Sequence, residues 1–505
     1  MSKNPTATVF SKVSFNYTTA VHPLITNLSM HLPRGWTGIV GPNGAGKTTI
    51  LKLATGLLHP NSGQIRGPSK TVYCPQRPDN LPDQFDHLIQ ANDSVASKIK
   101  GRLDIHDDWM ERWDTLSFGE RKRSQIAVAL WLEPHVLAID EPTNHLDRPA
   151  CDLVAEALEA FWGIGLLVSH DRDLLDDLCR QCLFMDPPEA VMRPGGYTEG
   201  SVQAEIALSS IKKQKSIARK NLAKLKRTST RRRESASGTK KKMSKRGIAA
   251  KDHDQREKIN RAKLTGKDAS AAKQVRQLQG RLSQAHQKFS NIKVKKTYKT
   301  GIWIPGSQSK RNFLFNIRAG KIKLGERKYL YFPDLIMKPQ DRIALTGVNG
   351  CGKSSLGRFL LDNLNIAESR VVHLPQEIDL EQSKGIMKQA RDLPKAKLGQ
   401  MMTVVSRLGS RPHRLLESRE PSPGEIRKVL IAMGITHEPH LILMDEPTNH
   451  LDLPSIECLE KALLDCPCGL FLISHDRRFL NNLTDKKWHI SDDCKTPDRF
   501  DLSIN

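Results

Sequence analysis

The stretch Gly41-Pro42-Asn43-Gly44-Ala45-Gly46-Lys47-Thr48-Thr49 returns later in the chain as Gly347-Val348-Asn349-Gly350-Cys351-Gly352-Lys353-Ser354-Ser355, at an offset of 306. In each copy a short apolar run precedes the glycines and a helix-forming segment follows. A loop of that kind aims backbone N–H groups and a helix N-terminus at phosphate oxygens. The lysine can bridge the outer phosphates, and the first hydroxyl can face a divalent cation. Other landmarks recur in the same order. Pro75-Gln76 returns as Pro375-Gln376, Asp140 to Asp147 returns identically as Asp445 to Asp452, and Ser169-His170-Asp171 returns as Ser474-His475-Asp476, at offsets of 300, 305 and 305. Near-constant offsets mean a duplicated domain.

Around each loop the chain reads as α/β. The runs Thr37 to Val40, Val136 to Ile139 and Leu166 to Val168, matched by Ile343 to Thr346, Leu441 to Met444 and Leu470 to Ile473, have the length of buried parallel strands. Such sheets bind ligands at their carboxyl ends. Two of the strands end in Asp-Glu. Asp140 and Asp445, with Thr48, Ser354, Gln76 and Gln376, form the expected Mg²⁺ side. Glu141 and Glu446 are placed to polarise a water, and His170 and His475 to sit beside the γ-phosphate. The expected reaction is Mg²⁺-dependent hydrolysis of ATP.

The 505 residues carry 79 Lys and Arg against 55 Asp and Glu, a net charge of +24. Its location matters more than its size. Residues 201 to 300 hold 30 basic and 6 acidic side chains, so the rest of the chain is balanced. One basic block between two neutral domains points to a polyanion-contacting element. Within it Ala204, Leu208, Ile211, Ala218, Leu222 and Leu225, interrupted by Lys215, and Val275, Leu278, Leu282, Ala285 and Phe289, predict two helices packed antiparallel. The first helix is expected to run about 25 residues, or roughly 40 Å. Thr228 to Ala269 is too polar for a core and reads as a loose or partner-ordered tip. The expected domains are 1–200, 201–300 and 301–505.

No apolar run reaches the roughly 20 residues of a membrane-spanning helix, and no signal-peptide layout opens the chain, so a cytoplasmic protein is expected. Nine scattered cysteines fit a reducing compartment. Cys179 and Cys182 have knuckle spacing, but the further ligands of a zinc site are missing.

Leu116-Ser117-Phe118-Gly119-Glu120 resembles the signature loop of ATP-binding cassette proteins, and Pro421-Ser422-Pro423-Gly424-Glu425 holds the equivalent place in the second half. The resemblance implies composite sites, with Ser117 and Gly119 completing the site on Lys353, and Ser422 and Gly424 the site on Lys47. Tyr17 stands where an adenine-stacking aromatic is expected, and Leu324 is read as occupying the corresponding place in the second half. Glu-Pro-Thr-Asn-His-Leu-Asp in both halves, with a charged linker and no membrane domain, is similar to the ABC-F family. That similarity implies a monomeric ATPase on the ribosome, its linker reaching toward rRNA and peptidyl-tRNA, as a translation factor or in ribosomal protection against antibiotics. The alternatives are the motor subunit of a membrane transporter and a nucleic-acid scaffold that binds ATP without turnover.

Overall fold

A computed structural model describes residues 7–18, 23–187, 189–242, 257, 267–292, 307–325, 328–410, 415, 421–492 and 498–504. Two compact units emerge: residues 1–200 together with 298–505, and residues 201–297.

The first unit contains the duplicated α/β domain. In its first half a six-stranded sheet runs in the order Thr71–Cys74, Val136–Asp140, Ile164–Val168, Gly35–Val40, Cys179–Asp186, Glu189–Pro194, parallel except for its last strand. The second half repeats the five-strand parallel order as Val371–Leu374, Leu441–Asp445, Gly469–Ile473, Arg342–Gly347, Lys486–Asp492, within an eight-stranded sheet. Val136–Asp140, Ile164–Val168, Leu441–Asp445 and Gly469–Ile473 are buried at every residue. That explains their unbroken apolar character: helices cover both faces of a parallel sheet, so no residue alternates toward water. The phosphate-loop strands Gly35–Val40 and Arg342–Gly347 lie inside the sheet, so each glycine loop opens at its carboxyl edge.

The second unit is helical. The helix Tyr197–Lys242 enters it and runs 46 residues, followed by a helix at Lys267–Asn291. The first is far longer than its apolar stripe predicts. Thr228 to Lys242 contains no proline, and Ser, Thr, Lys and Arg are all compatible with a helix, so polarity there does not mark a break. The remainder of the expected tip, through residue 266, lies outside the described residues apart from position 257. Leu222 and Leu278 are buried. Lys215 does not interrupt the stripe as the sequence suggests. It is half-buried, with its ammonium 5.6 Å from the ring of Phe289, so its stem packs with the apolar residues while its charge meets an aromatic face. This contact joins the early part of the first helix to the late part of the second.

Candidate functional site

Each phosphate loop ends at a glycine with left-handed backbone, Gly46 at φ 95° and Gly352 at φ 97°. A side chain is excluded at both: a Cβ would lie 3.0 Å from Leu24 Cγ in the first case and 2.6 Å from Leu324 Cδ2 in the second. Leu324 is therefore the counterpart of Leu24, not of Tyr17. Counting residues misaligned them because the strands before the two loops differ in length. Tyr17 instead hydrogen-bonds through its hydroxyl to Thr49 at 3.1 Å, with its ring half-exposed.

The helices Lys47–Ala54 and Lys353–Asp362 begin without a side-chain cap, which leaves their first-turn N–H groups directed at the loop. Lys47 Nζ donates to the carbonyl of Gly41 at 2.9 Å, and Lys353 Nζ to those of Gly347 and Val348 at 2.8 and 2.9 Å. Both lysines thus lie folded along the loop that would receive phosphate, and burial lowers the Lys47 pKa. Ala45 and Cys351 are buried inside the loops.

Opposite each lysine stands the Asp-Glu pair. Asp140 Oδ2 accepts from Thr48 at 2.6 Å and from the Tyr73 hydroxyl at 3.4 Å. In the second half Ser354 donates to Gln376 Oε1 at 3.3 Å, and burial pushes Asp445 up. Glu141 and Glu446 have φ of 49° and 46°, a conformation costing a non-glycine residue about 1–2 kcal/mol. Their N–H groups are held by the carbonyls of Val168 and Ile473, each at 2.8 Å. That strain turns the carboxylates inward. Burial, reinforced by the neighbouring aspartate, raises Glu141 to about 7 and Glu446 to about 8, against the opposing pull of Lys47 and Lys353.

One oxygen of each glutamate, Oε1, is sealed from solvent and accepts no hydrogen bond among the described residues. His170 Nε2 lies 3.1 Å from Glu141 Oε1, while His475 Nε2 lies 3.5 Å from Glu446 Oε1 and 3.3 Å from Asn349 Oδ1. Burial and the nearby lysine lower both histidines, His475 to about 4, so near neutral pH they are neutral. An orphaned buried carboxylate oxygen beside a neutral imidazole fits a base that holds a water.

The halves meet at these loops. The N–H of Asn43 donates to Asp452 at 2.8 Å and its side chain to the His450 carbonyl at 3.2 Å. Asn349 repeats this with Asp147 at 3.1 Å and the His145 carbonyl at 3.2 Å. A cavity of about 410 Å³ is lined from one side by Lys353, Ser354, Ser355, Gln376, Glu446 and His475, and from the other by Asn144, His145 and His170. Its lining includes neither Ser117 nor Gly119. A Cβ on Gly119 would lie 3.1 Å from Leu146 of its own half, and one on Gly424 would lie 2.5 Å from the His450 carbonyl. Both signatures form capping boxes, Ser117 with Glu120 and Ser422 with Glu425. Pro423 takes a first-turn position, where proline fits the backbone and removes only one N–H donor.

Sequence reasoning missed two buried cations. Lys122 donates to the carbonyls of Pro75 at 2.7 Å and Asp140 at 3.2 Å and is fully buried. Arg427, its repeat equivalent, donates to the Glu446 carbonyl at 2.6 Å and to Gln376. Each ties the helix that follows the signature-like loop to the glutamine loop and to the end of the Asp-Glu strand. Burial depresses Lys122 to about 8.

Paired phosphate loops, Asp-Glu strand ends and histidines, facing one another across a contact between repeats, define a tandem ATP-binding cassette ATPase. The ABC transporter family profile matches residues 25–144 and 333–449. The ribosome protection protein VmlR of Bacillus subtilis (strain 168) is 26% identical over 90% of this chain and 81% of its own length. The ATP-binding protein Uup of Caulobacter vibrioides is 27% identical over 91% and 74%, and the probable ATP-binding protein YheS of Escherichia coli (strain K12) 26% over 92% and 76%. A model of ribosome-bound archaeal Pelota and ABCE1 shares the fold, with a TM-score of 0.60 at 18% identity, covering 97% of this chain and 78% of the other. Both halves of the chain thus resemble the ABC transporter family, in tandem, and the similarity to these relatives spans about nine-tenths of its length. Among the described residues no helix is long and apolar enough to cross a membrane.

Proposed function

We propose that this ATPase acts on the ribosome, closing its cassettes on two Mg·ATP and meeting rRNA and peptidyl-tRNA through the basic helical segment, as a monomer in the cytoplasm. The observation that carries the reading is the confinement of the positive charge, 30 basic against 6 acidic residues, to the segment between two otherwise balanced cassettes. RNA phosphates attract such clusters. The name of the Bacillus relative, a ribosome protection protein, supports the same partner. A transporter subunit would leave that segment without evident use.

Thr48 with Asp140, and Ser354 with Asp445 and Gln376, supply the hard oxygen donors that suit Mg²⁺. When bound, the ion neutralises phosphate charge. The loop N–H groups and Lys47 or Lys353 hold the phosphates, and Glu141 or Glu446 orients and deprotonates the water. Ser117, Gly119, Ser422 and Gly424 would join the opposite sites on further closure.

The test is co-sedimentation with ribosomes at increasing salt, with Glu141→Gln and Glu446→Gln present to prolong closure. Neutralising Arg231, Arg232, Arg233, Lys240, Lys241 and Lys242, with three of the six meeting phosphates, should lower the slope of log affinity against log salt by roughly 2 to 3, at a coefficient of about 0.7–0.9 per phosphate contact. An unchanged slope with intact binding would remove the segment from the RNA contact, and co-purification with membranes instead would favour the transporter reading.

A further inference from the structure

Away from the nucleotide loops the two cassettes share an edge built from the segments that follow His170 and His475. Arg172 donates to both carboxylate oxygens of Glu460, at 2.9 and 3.2 Å, with Asp476 at 3.5 Å. Both partners are only 9% exposed. Arg478 pairs with Asp173, and with Asp176 at 2.8 Å, and also donates to the Thr198 hydroxyl at 2.8 Å. Tyr197 donates to Glu457 at 2.6 Å. Asp173 and Asp476 also reach the lining of the cavity between the cassettes, whereas Arg172, Arg478, Glu460 and Tyr197 lie outside it.

The nucleotide loops meet symmetrically, Asn43 on Asp452 and Asn349 on Asp147. The edge breaks that symmetry. At the repeat offset of 305, the equivalent of Asp173 is its own partner Arg478. The equivalent of Glu460 is Ala155, and that of Asp176 is Asn481. Equivalent positions face each other across a two-fold-like contact, and here they carry opposite charges. Two first cassettes placed together would set Asp173 against Asp173 and leave Arg172 facing Ala155 in place of Glu460, with Asp171, the equivalent of Asp476, as its remaining acid. Two second cassettes would set Arg478 against Arg478.

We infer that this edge is a pairing code: it accepts the second cassette of the same chain, rejects the like cassette of another copy, and so commits both ATP sites to intramolecular closure. Specificity comes from what the wrong pairing must bury, since like charges repel and a buried guanidinium stripped of its bidentate partner is costly. The Arg172–Glu460 pair is the enclosed part of the edge, while Asp173 and Arg478 are 26% and 34% exposed and contribute through repulsion at its rim.

A charge swap in the full chain tests this. Donor and acceptor fluorophores introduced at exposed Leu57 and Leu380 report the distance between cassettes without any ribosome, and sedimentation reports association of copies. Asp173→Arg and Arg478→Asp should each raise the ATP concentration for half-maximal closure by about tenfold, and the double swap should return it to within about twofold of wild type. If a single variant does not fold, recovery of the fold by the double swap supports the code equally. Four proteins that close alike, or a double swap that repairs nothing, would overturn it.

Discussion

In the first cassette Asp140 accepts from two hydroxyls, Thr48 and Tyr73, whereas in the second Asp445 is paired with Ser354, which also donates to Gln376, and His373 stands at the position equivalent to Tyr73. The glutamates proposed to hold the water are furnished differently too. His170 sits tight on Glu141, and His475 is shared between Glu446 and Asn349. Two copies of one motif set have thus been furnished differently by residues outside the motifs. The lesson is that sequence identity through Glu-Pro-Thr-Asn-His-Leu-Asp does not make two sites equivalent.

The largest effect should come from removing what the cassettes share. Glu141→Gln with Glu446→Gln keeps shape and hydrogen bonding but loses the base, so phosphate release should fall by about 10²-fold or more while ATP binding persists. Turnover near wild type would take both residues out of the chemistry and make the comparison between sites empty.

A smaller effect separates positioning from binding. Lys122→Met and Arg427→Met each leave strand-end and glutamine-loop carbonyls without a donor, a cost of about 1–3 kcal/mol per orphaned group. Turnover should drop by about tenfold in kcat with the ATP Kd nearly unchanged, because neither side chain faces the phosphates. Equal losses in kcat and Kd would mean that these cations merely hold the fold together.

The smallest is a test of the furniture itself. Tyr73→Phe, measured in the Glu446→Gln background so that the first site alone turns over, deletes one long hydrogen bond to Asp140. It should raise the Mg²⁺ concentration for half-maximal nucleotide binding by about two- to threefold, in keeping with a contact of roughly 0.5 kcal/mol. No change would leave Thr48 as the sole determinant of how Asp140 is held.

Much of this was legible in the sequence because the chemistry demands fixed neighbours. A glycine loop cradling phosphates needs its residues contiguous, and a buried parallel strand needs an unbroken apolar run. So Lys47, Lys353, Asp140, Asp445, Glu141 and Glu446 could be found by spacing. Lys122 and Arg427 could not. A cation on a helix reads as solvent-facing, and only the arrival of the Pro75 and Gln376 loops turns it into a buried tie. Tyr73 lies in an ordinary strand, and its role exists only through a neighbouring strand's aspartate. The match of Tyr17 to Leu324 failed because counting back from a motif assumes equal strands on both sides. Proline at 423 leaves the cap geometry unchanged, since the dihedrals of Ser117 and Ser422 agree, at φ −62° and −65°. What proline takes away is a donor.

That missing donor is the point on which inequality of the sites turns. If the second signature serves the Lys47 site, the site holding Glu141 lacks one N–H toward phosphate, and the site holding Glu446 keeps its full set. Phosphate release by Glu141→Gln and by Glu446→Gln, each alone and at saturating ATP, measures this directly. The account predicts that Glu446→Gln removes the larger share of turnover, and equal losses or the reverse order would contradict it.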